Sequence, residues 1–286
     1  MSWWEALVLG IVEGLTEYLP VSSTAHILLT QRLFGIGSSN AADAYAISIQ
    51  GGAILAVLGL YHRRVFQMLQ GVLNFGKNEH RDGFQLSLNI LAAFLPAAII
   101  GLAFNDAIKE YLFGKKWGLW PIVIAWFIGG VAILAVGWMR RNRKTNTAVA
   151  GFALENLTLR LALVIGFAQC IAMWPGVSRS LVTIVGGLLV GLSLPAAVEF
   201  SFLLGVLTLS AATVYDAYKH GSEMLSAFGP LPLIIGFLAA WLSALLAVKW
   251  MVTYLQRHGL AIFGYYRIGI AVLAAAAIWL GWLQTT

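Results

Sequence analysis

The sequence predicts an all-α polytopic membrane protein built as an inverted-topology repeat, each half a re-entrant helical hairpin followed by three transmembrane helices. Three observations carry that reading. Of the 286 residues, 60% are hydrophobic and only 10% charged, with a mean hydropathy of +0.83, outside the range of soluble domains. Six predominantly apolar runs, at 45–61, 86–104, 117–138, 197–215, 230–252 and 262–283, are long enough to cross a hydrocarbon layer of ~30 Å as helices. They lack the every-second-residue polarity of a membrane barrel. Two further apolar regions, 5–35 and 158–193, are broken midway by EYLPVSSTAH and WPGVSRSLVT.

The N-terminus opens MSWWEA, with Glu5 ahead of any basic residue, unlike the basic start of a cleaved signal peptide. In the first broken region a proline is followed by hydroxyl and charged side chains at the expected depth of the bilayer. That describes a re-entrant hairpin, since such backbone survives in a membrane only under cover of protein or a water-filled cavity. After the first span, segment 62–85 carries Arg63, Arg64, Lys77 and Arg81, and segment 139–157 carries Arg140, Arg141, Arg143 and Lys144. Both read as cytoplasmic loops. Alternation then puts 105–116, with Lys109, Lys115, Lys116, Asp106 and Glu110, on the outside. It also makes 216–229 an external loop and the Arg257/His258 turn internal, and leaves the C-terminus, the N-terminus and 36–44 outside. Trp3, Trp4, Trp117, Trp120, Trp279 and Trp282 sit at segment ends as interfacial anchors. The net charge of +6 belongs to cytoplasmic loops facing anionic lipid and calls for no nucleic-acid partner. The single cysteine, Cys170, forms no intrachain disulfide.

The two broken regions are related. Pro20 maps on Pro175 and Ser23 on Ser178 at an offset of 155 residues, which also superposes Tyr45 on Phe200. The chain therefore reads as one integral membrane domain, 1–286, with 1–144 and 150–286 as its halves. Three spans per half is an odd number, so the halves insert in opposite orientation and their broken segments meet near the midplane to form a site.

Ionisable groups within membrane segments are costly and so point to function. Glu13 and Glu17, four apart, share a helix face, with Ser22, Ser23 and His26 just beyond. In the second half Arg179 lies between Ser178 and Ser180, with Thr183 on the same face of a helix starting there. Two carboxylates in a low dielectric repel unless a cation or an arginine lies between them. An arginine with hydroxyls at a helix N-terminus is an anion cradle suited to phosphate oxygens. The first cluster holds the parts of a hydrolytic centre: metal ligands or a base, a nucleophile and a proton carrier. Simpler roles are a buried Glu13–Arg179 ion pair and a capping or pairing role for Glu199.

EGLTEYLPVSSTAH and PGVSRSLVT resemble the two signature motifs of the undecaprenyl-diphosphate phosphatases of the bacitracin-resistance type, and the resemblance extends through IQGGAILAV, EFSFLLG and Tyr266-Arg267. It implies a bacterial inner (plasma) membrane enzyme that removes the terminal phosphate of undecaprenyl diphosphate, recycling the lipid carrier of cell-wall synthesis. By the resemblance, Glu17, His26, Ser23, Arg179 and Glu13 are the catalytic set, and Ser22, Ser178, Arg179, Ser180, Thr183 and Gln50 bind substrate. Glu13 and Glu17 would hold a divalent cation, Mg²⁺ or Ca²⁺. The chain departs from the usual motif at Leu181 and Val182, where glycine and alanine are common, and at Ala46, where an acid is common. The attacking group is His26, Ser23 or a metal-bound water. The polyprenyl tail is expected in a groove between spans, with the site open to the outer leaflet, and the small-residue stripe GGAILAVLG suits close helix packing and, with it, a homodimer. The rival reading is an inverted-repeat transporter or flippase for a lipid phosphate or other anion. The two acids beside an anion cradle favour hydrolysis.

Overall fold

The computed structural model describes residues 1–37, 39–104, 118–142 and 151–283. Eleven α-helices are present among them: α1 (Trp3–Thr16), α2 (Ser23–Leu33), α3 (Asn40–Leu60), α4 (His62–Leu73), α5 (Arg81–Ala103), α6 (Trp120–Asn142), α7 (Leu159–Gln169), α8 (Arg179–Leu189), α9 (Leu194–Phe228), α10 (Pro230–His258) and α11 (Ala261–Trp279). Six are long and apolar enough to cross a membrane: α3, α5, α6, α9, α10 and α11. This is the all-α polytopic architecture expected.

The two broken regions fold as helical hairpins. α1 has 14 residues and packs on α2, which has 11; α7 and α8, with 11 each, pair in the same way. At 1.5 Å per residue these arms reach only about 16 to 21 Å, too short to span ~30 Å. The helices also pair across the halves. α1 packs on α10 and α7 on α5, the equivalent contact at an offset of 155 residues; α3 packs on α9, and α6 on α11. Tyr45 and Phe200, aligned by that offset, are both fully buried.

Two loops expected from charge and polarity are helical instead. Segment 62–85 contains α4, a 3₁₀ turn and the start of α5. Segment 216–229 continues α9 to Phe228, because DAYKHGSEMLSAF holds no proline; the helix stops at Gly229, which takes a positive φ of 74° ahead of Pro230. The GGAILAVLG stripe is used inside the chain. A side chain at Gly52 would collide with the backbone of Phe237 and Trp241 on α10, and Ala53 and Ala56 are fully buried. Trp3, Trp4, Trp120, Trp279 and Trp282 are exposed at helix ends, as anchors should be. Segment 105–116, Trp117, Arg143, Lys144 and the side chains of Arg140 and Arg141 lie outside the described residues.

Irregular backbone inside an apolar bundle needs donors from the protein, and the two loops find them. Ser180 donates to the Leu19 carbonyl at 2.9 Å, and Trp126 on α6 donates to Val21 at 2.8 Å. Arg267 on α11, completely buried, donates to Pro20 (3.3 Å), Ala125 (2.8 Å) and Gly176 (2.9 Å). One guanidinium thus fastens both loops to each other and to α6. It fits because residue 129 is glycine: a Cβ there would stand 2.4 Å from Arg267 Nη2.

Candidate active site

The hairpin loops face each other across a cavity of about 510 Å³. Polar groups from both halves line it: Glu17, Ser22, Ser23, Thr24 and Gln50 from the first, and Gln169, Ser178, Arg179 and Thr208 from the second. Phe94, Ala97, Ala98 and Leu102 of α5 and Leu209, Ala212 and Tyr215 of α9 form much of the remaining wall. Pro96 breaks the α5 hydrogen-bond ladder beside that wall.

Local structure aims each polar group. Glu17 is the C-cap of α1, one turn after Glu13. Ser178 is the N-cap of α8, its hydroxyl accepting from the Leu181 N–H at 3.2 Å, so Arg179 opens that helix where backbone N–H groups are free and the dipole is positive. Arg179 Nη2 donates to Glu17 Oε1 at 3.1 Å, with the two side chains only 10% and 5% exposed. Its Nη1 donates to the Ser201 carbonyl at 3.0 Å, and the guanidinium carbon lies 5.3 Å from the centre of the Tyr18 ring. The close approach to α9 depends on Gly205, where a Cβ would come within 2.2 Å of Arg179 Nη1.

Glu17 Oε2 accepts from the Ser23 hydroxyl and, at 3.1 Å, from Gln50 Nε2. Glu13 stands behind Glu17, buried and off the cavity lining, in contact with Glu17 and Gln50. The ion pair weighed for Glu13 and Arg179 is therefore made by Glu17 instead, since Glu17 is the last acid of α1 and the one that reaches the opposite loop. Ser22 has φ 77°, the one positive φ at a non-glycine among the described residues. This is a costly conformation of the kind that clusters at functional sites.

Other expected site residues lie behind the cavity. Ser180 and Thr183 do not line it: Ser180 bonds Ser178 Oγ (2.8 Å) and the Leu19 carbonyl, and Thr183 bonds Ser201 Oγ (2.6 Å) and the Arg179 carbonyl (2.9 Å). They hold Arg179 and its loop in place. His26 also points away from the lining. Its Nδ1 lies 2.6 Å from the Ser22 carbonyl and its Nε2 2.8 Å from Tyr266 Oη, with Trp126 edge-on at 5.1 Å. A carbonyl can only accept, so Nδ1 carries a proton and steadies the strained Ser22 peptide. Glu199 does not line the cavity and is paired to Arg64 at 2.5 Å. Leu181 packs into the core rather than the cavity.

Two residues to which the sequence reading assigned no site role shape the loops and the cavity wall. Arg267 had only its place beside Tyr266 to mark it, and nothing in its neighbourhood of α11 names the two distant loops as its partners. Gln169 stands in an apolar run six residues before Pro175, and its position in the wall depends on how α7 meets α9.

The two buried carboxylates suit a divalent cation. Glu13 Oε1 is buried without a hydrogen-bond partner beside a second carboxylate, an arrangement that a hard cation would satisfy. Among the described residues no three His, Cys, Asp or Glu side chains converge. Glu13 and Glu17 would therefore be its protein ligands, completed by phosphate oxygens and water, as is common for Mg²⁺.

Comparison with known proteins agrees across the chain. A family model described as "Bacitracin resistance protein BacA" matches residues 6–273. The chain is 44% identical over 281 residues to a protein of Sorangium cellulosum named undecaprenyl-diphosphatase, covering 98% of this chain and 87% of that one. It is 40% identical over 276 residues to the undecaprenyl-diphosphatase of Rhodopseudomonas palustris, covering 96% and 97%. Undecaprenyl-diphosphatase 1 of Stutzerimonas stutzeri is 41% identical over 289 residues, covering 99% and 98%.

Proposed function

This chain belongs to the bacitracin resistance protein BacA family, and from that premise we propose that it is a membrane hydrolase converting undecaprenyl diphosphate to undecaprenyl phosphate and inorganic phosphate. The observation that carries the chemistry is the cavity contact in which Ser23 donates to Glu17 while Arg179 pairs with the same carboxylate. A hydroxyl bonded to a carboxylate, facing an anion-binding guanidinium, is an activated nucleophile beside a phosphate grip.

In this reading Arg179 and the free N–H groups opening α8 bind the terminal phosphate. Ser23 Oγ attacks its phosphorus, Glu17 takes the hydroxyl proton, and the bond from that phosphorus to the bridging oxygen breaks. Undecaprenyl phosphate departs with the electron pair of the broken bond. Glu17 returns its proton to the departing undecaprenyl phosphate, and water then attacks the phosphoserine phosphorus: Glu17 takes a proton from that water and gives it to Ser23 Oγ as the serine P–O bond breaks, which regenerates Ser23 and releases phosphate. Gln50 holds Glu17 in place, and His26 acts by fixing the Ser22 peptide. A divalent cation on Glu13 and Glu17 would supply charge neutralisation for the phosphates.

The repeat is read as inverted, supported by the equivalent α1–α10 and α7–α5 packing. The cavity wall is built from the α5 and α9 segments remote from Arg63, Arg64 and Arg81, so under the positive-inside rule the site opens to the outer leaflet of the plasma membrane. The test is phosphate release from undecaprenyl diphosphate by the purified protein in detergent, with and without Mg²⁺ or Ca²⁺, beside Arg179→Ala and Glu17→Ala. Metal-dependent release lost in both variants is the expected result; absence of release by a folded protein that binds the lipid would return the transport reading.

A further inference from the structure

The cavity wall contains a buried amide that the chemistry above leaves unused. Gln169 is 2% exposed and lines the cavity, yet its Nε2 has no hydrogen-bond partner. Its Oε1 faces Thr208 Oγ1 at 3.4 Å, but that hydroxyl has one proton and sits closer to the Leu204 carbonyl, at 2.9 Å. A primary amide offers two donors and an acceptor, and here most of that capacity is unmet. The nearby lining residues Ala172, Met173 and Leu209 offer no strong side-chain partner. The scaffold does not demand an amide at this place either. At the offset of 155 residues the counterpart is Gly14, which packs directly on Ala240 and Ser243 of α10.

Its position follows from α9. Ser201, Gly205, Thr208, Ala212 and Tyr215 are spaced four, three, four and three apart and so form one stripe of that helix. Arg179 rests on Ser201 and Gly205, Gln169 meets Thr208, and Tyr215, 44% exposed, closes the stripe. Gln169, meeting α9 at Thr208, thus stands ~4.5 Å beyond Gly205 and ~10.5 Å beyond Ser201 along that helix, on the side toward the exposed end of the wall. Substrate held at Arg179 by its terminal phosphate must lead its remaining phosphate and its tail in that direction.

Resting on the phosphatase reading, we propose that Gln169, steadied by Thr208, donates to the lipid-linked phosphate and makes the site select two consecutive phosphates over one. The amide is the second point of a two-point grip whose first point is Arg179.

The test uses the full chain in detergent at fixed free Mg²⁺, comparing wild type with Gln169→Met and Gln169→Glu. For Gln169→Met, KM for undecaprenyl diphosphate rises about tenfold or more, the scale of a lost hydrogen bond to a charged group, while kcat changes by less than about threefold. Inhibition by methylenediphosphonate, which carries two phosphorus centres, weakens in step, whereas inhibition by orthophosphate, held at Arg179 alone, is unchanged. Gln169→Glu sets a carboxylate against the phosphate and gives a larger loss of the same kind. An unaltered KM and unaltered methylenediphosphonate inhibition in Gln169→Met overturn the proposal. So does equal weakening of both inhibitors, which would mean that Gln169 acts through Arg179. Thr208→Val, read in the same assays, decides the matter if the Gln169 variants do not fold. Absence of release by wild type would instead refute the phosphatase reading, and thermal shifts with the two inhibitors would still report whether Gln169 distinguishes them.

Discussion

The two hairpin loops occupy equivalent places and carry opposite chemistry. Residues 17–23 bring an acid and hydroxyls; residues 174–180 bring an arginine. The offset of 155 residues pairs Glu17 with Ala172, Arg179 with Thr24 and Gln50 with Gly205. Each specialised side chain in one half therefore faces a small or neutral residue in the other. The last pair is instructive: in the first half position 50 presents an amide to Glu17, and in the second its counterpart is vacated so that Arg179 can lie against α9. Like charges on both loops would repel in a low dielectric, whereas opposite ones form a buried pair that substrate can partly replace. A shared scaffold with divided chemistry gives one asymmetric site.

That comparison can be broken at graded points. Removing the proposed nucleophile should cost most: Ser23→Ala is expected to lower kcat by about 10⁴-fold or more, with loss of radiolabel trapped on the protein from terminally labelled substrate. Label retained in Ser23→Ala would transfer the role to another group. On the basic side, Arg179→Lys keeps the charge but loses the planar fork that reaches Glu17 and Ser201 together, and a kcat loss on the order of 10² to 10³ is expected. Wild-type turnover would show that charge alone suffices.

Gly205→Ala sharpens the comparison without touching a polar group. The new methyl displaces the guanidinium, so kcat/KM should fall by at least about tenfold while the protein retains its fold; unchanged kinetics would mean that Arg179 does not need its seat on α9. For His26, bonded to Ser22 and Tyr266 rather than the cavity, Tyr266→Phe should reduce kcat by less than about tenfold and leave the pH profile in place. A displaced profile would restore His26 as a proton carrier.

The smallest effect is expected at a second ion cluster joining the halves with reversed polarity, where Arg64 of the first half holds Glu199 at 2.5 Å and Glu155 at 2.7 Å. The local backbone and then Arg64 hold the Glu155 carboxyl below its usual range. A lowered folded value means that its contribution is present above the ordinary carboxylate range and disappears as pH falls through the lowered value. Glu155→Gln should cost at most about 1 kcal/mol in unfolding assays at neutral pH, because the pair is partly solvent-exposed, and nothing at strongly acid pH, where the carboxyl is protonated. A larger cost would place this cluster on a par with the buried pair in the cavity.

Much of the architecture was legible because its causes are local. Span length and hydropathy located six helices to within a few residues at most ends, and Pro20 and Pro175 marked both breaks. The extension of α9 through 216–228 was missed because polar residues were read as a loop, although nothing in that stretch stops a helix. In the site, Glu17, Ser23 and Arg179 stood out because ionisable and hydroxyl groups are rare in such a chain. Their motif neighbours Ser180, Thr183 and His26 were equally visible, but rarity does not tell which way a side chain points.

The sequence by itself determined the membrane class, the six apolar helices, the two broken segments and the acid-and-arginine complement, since each follows from composition or spacing within a few turns. Only the tertiary structure decided that Glu17 rather than Glu13 meets Arg179, that Arg267 ties both loops together, and that Gln169 turns an unmet amide into the cavity. Those outcomes depend on the meeting of segments that lie from 39 to 247 residues apart in the chain, where a shift of one helical turn replaces one side chain in the cavity with another.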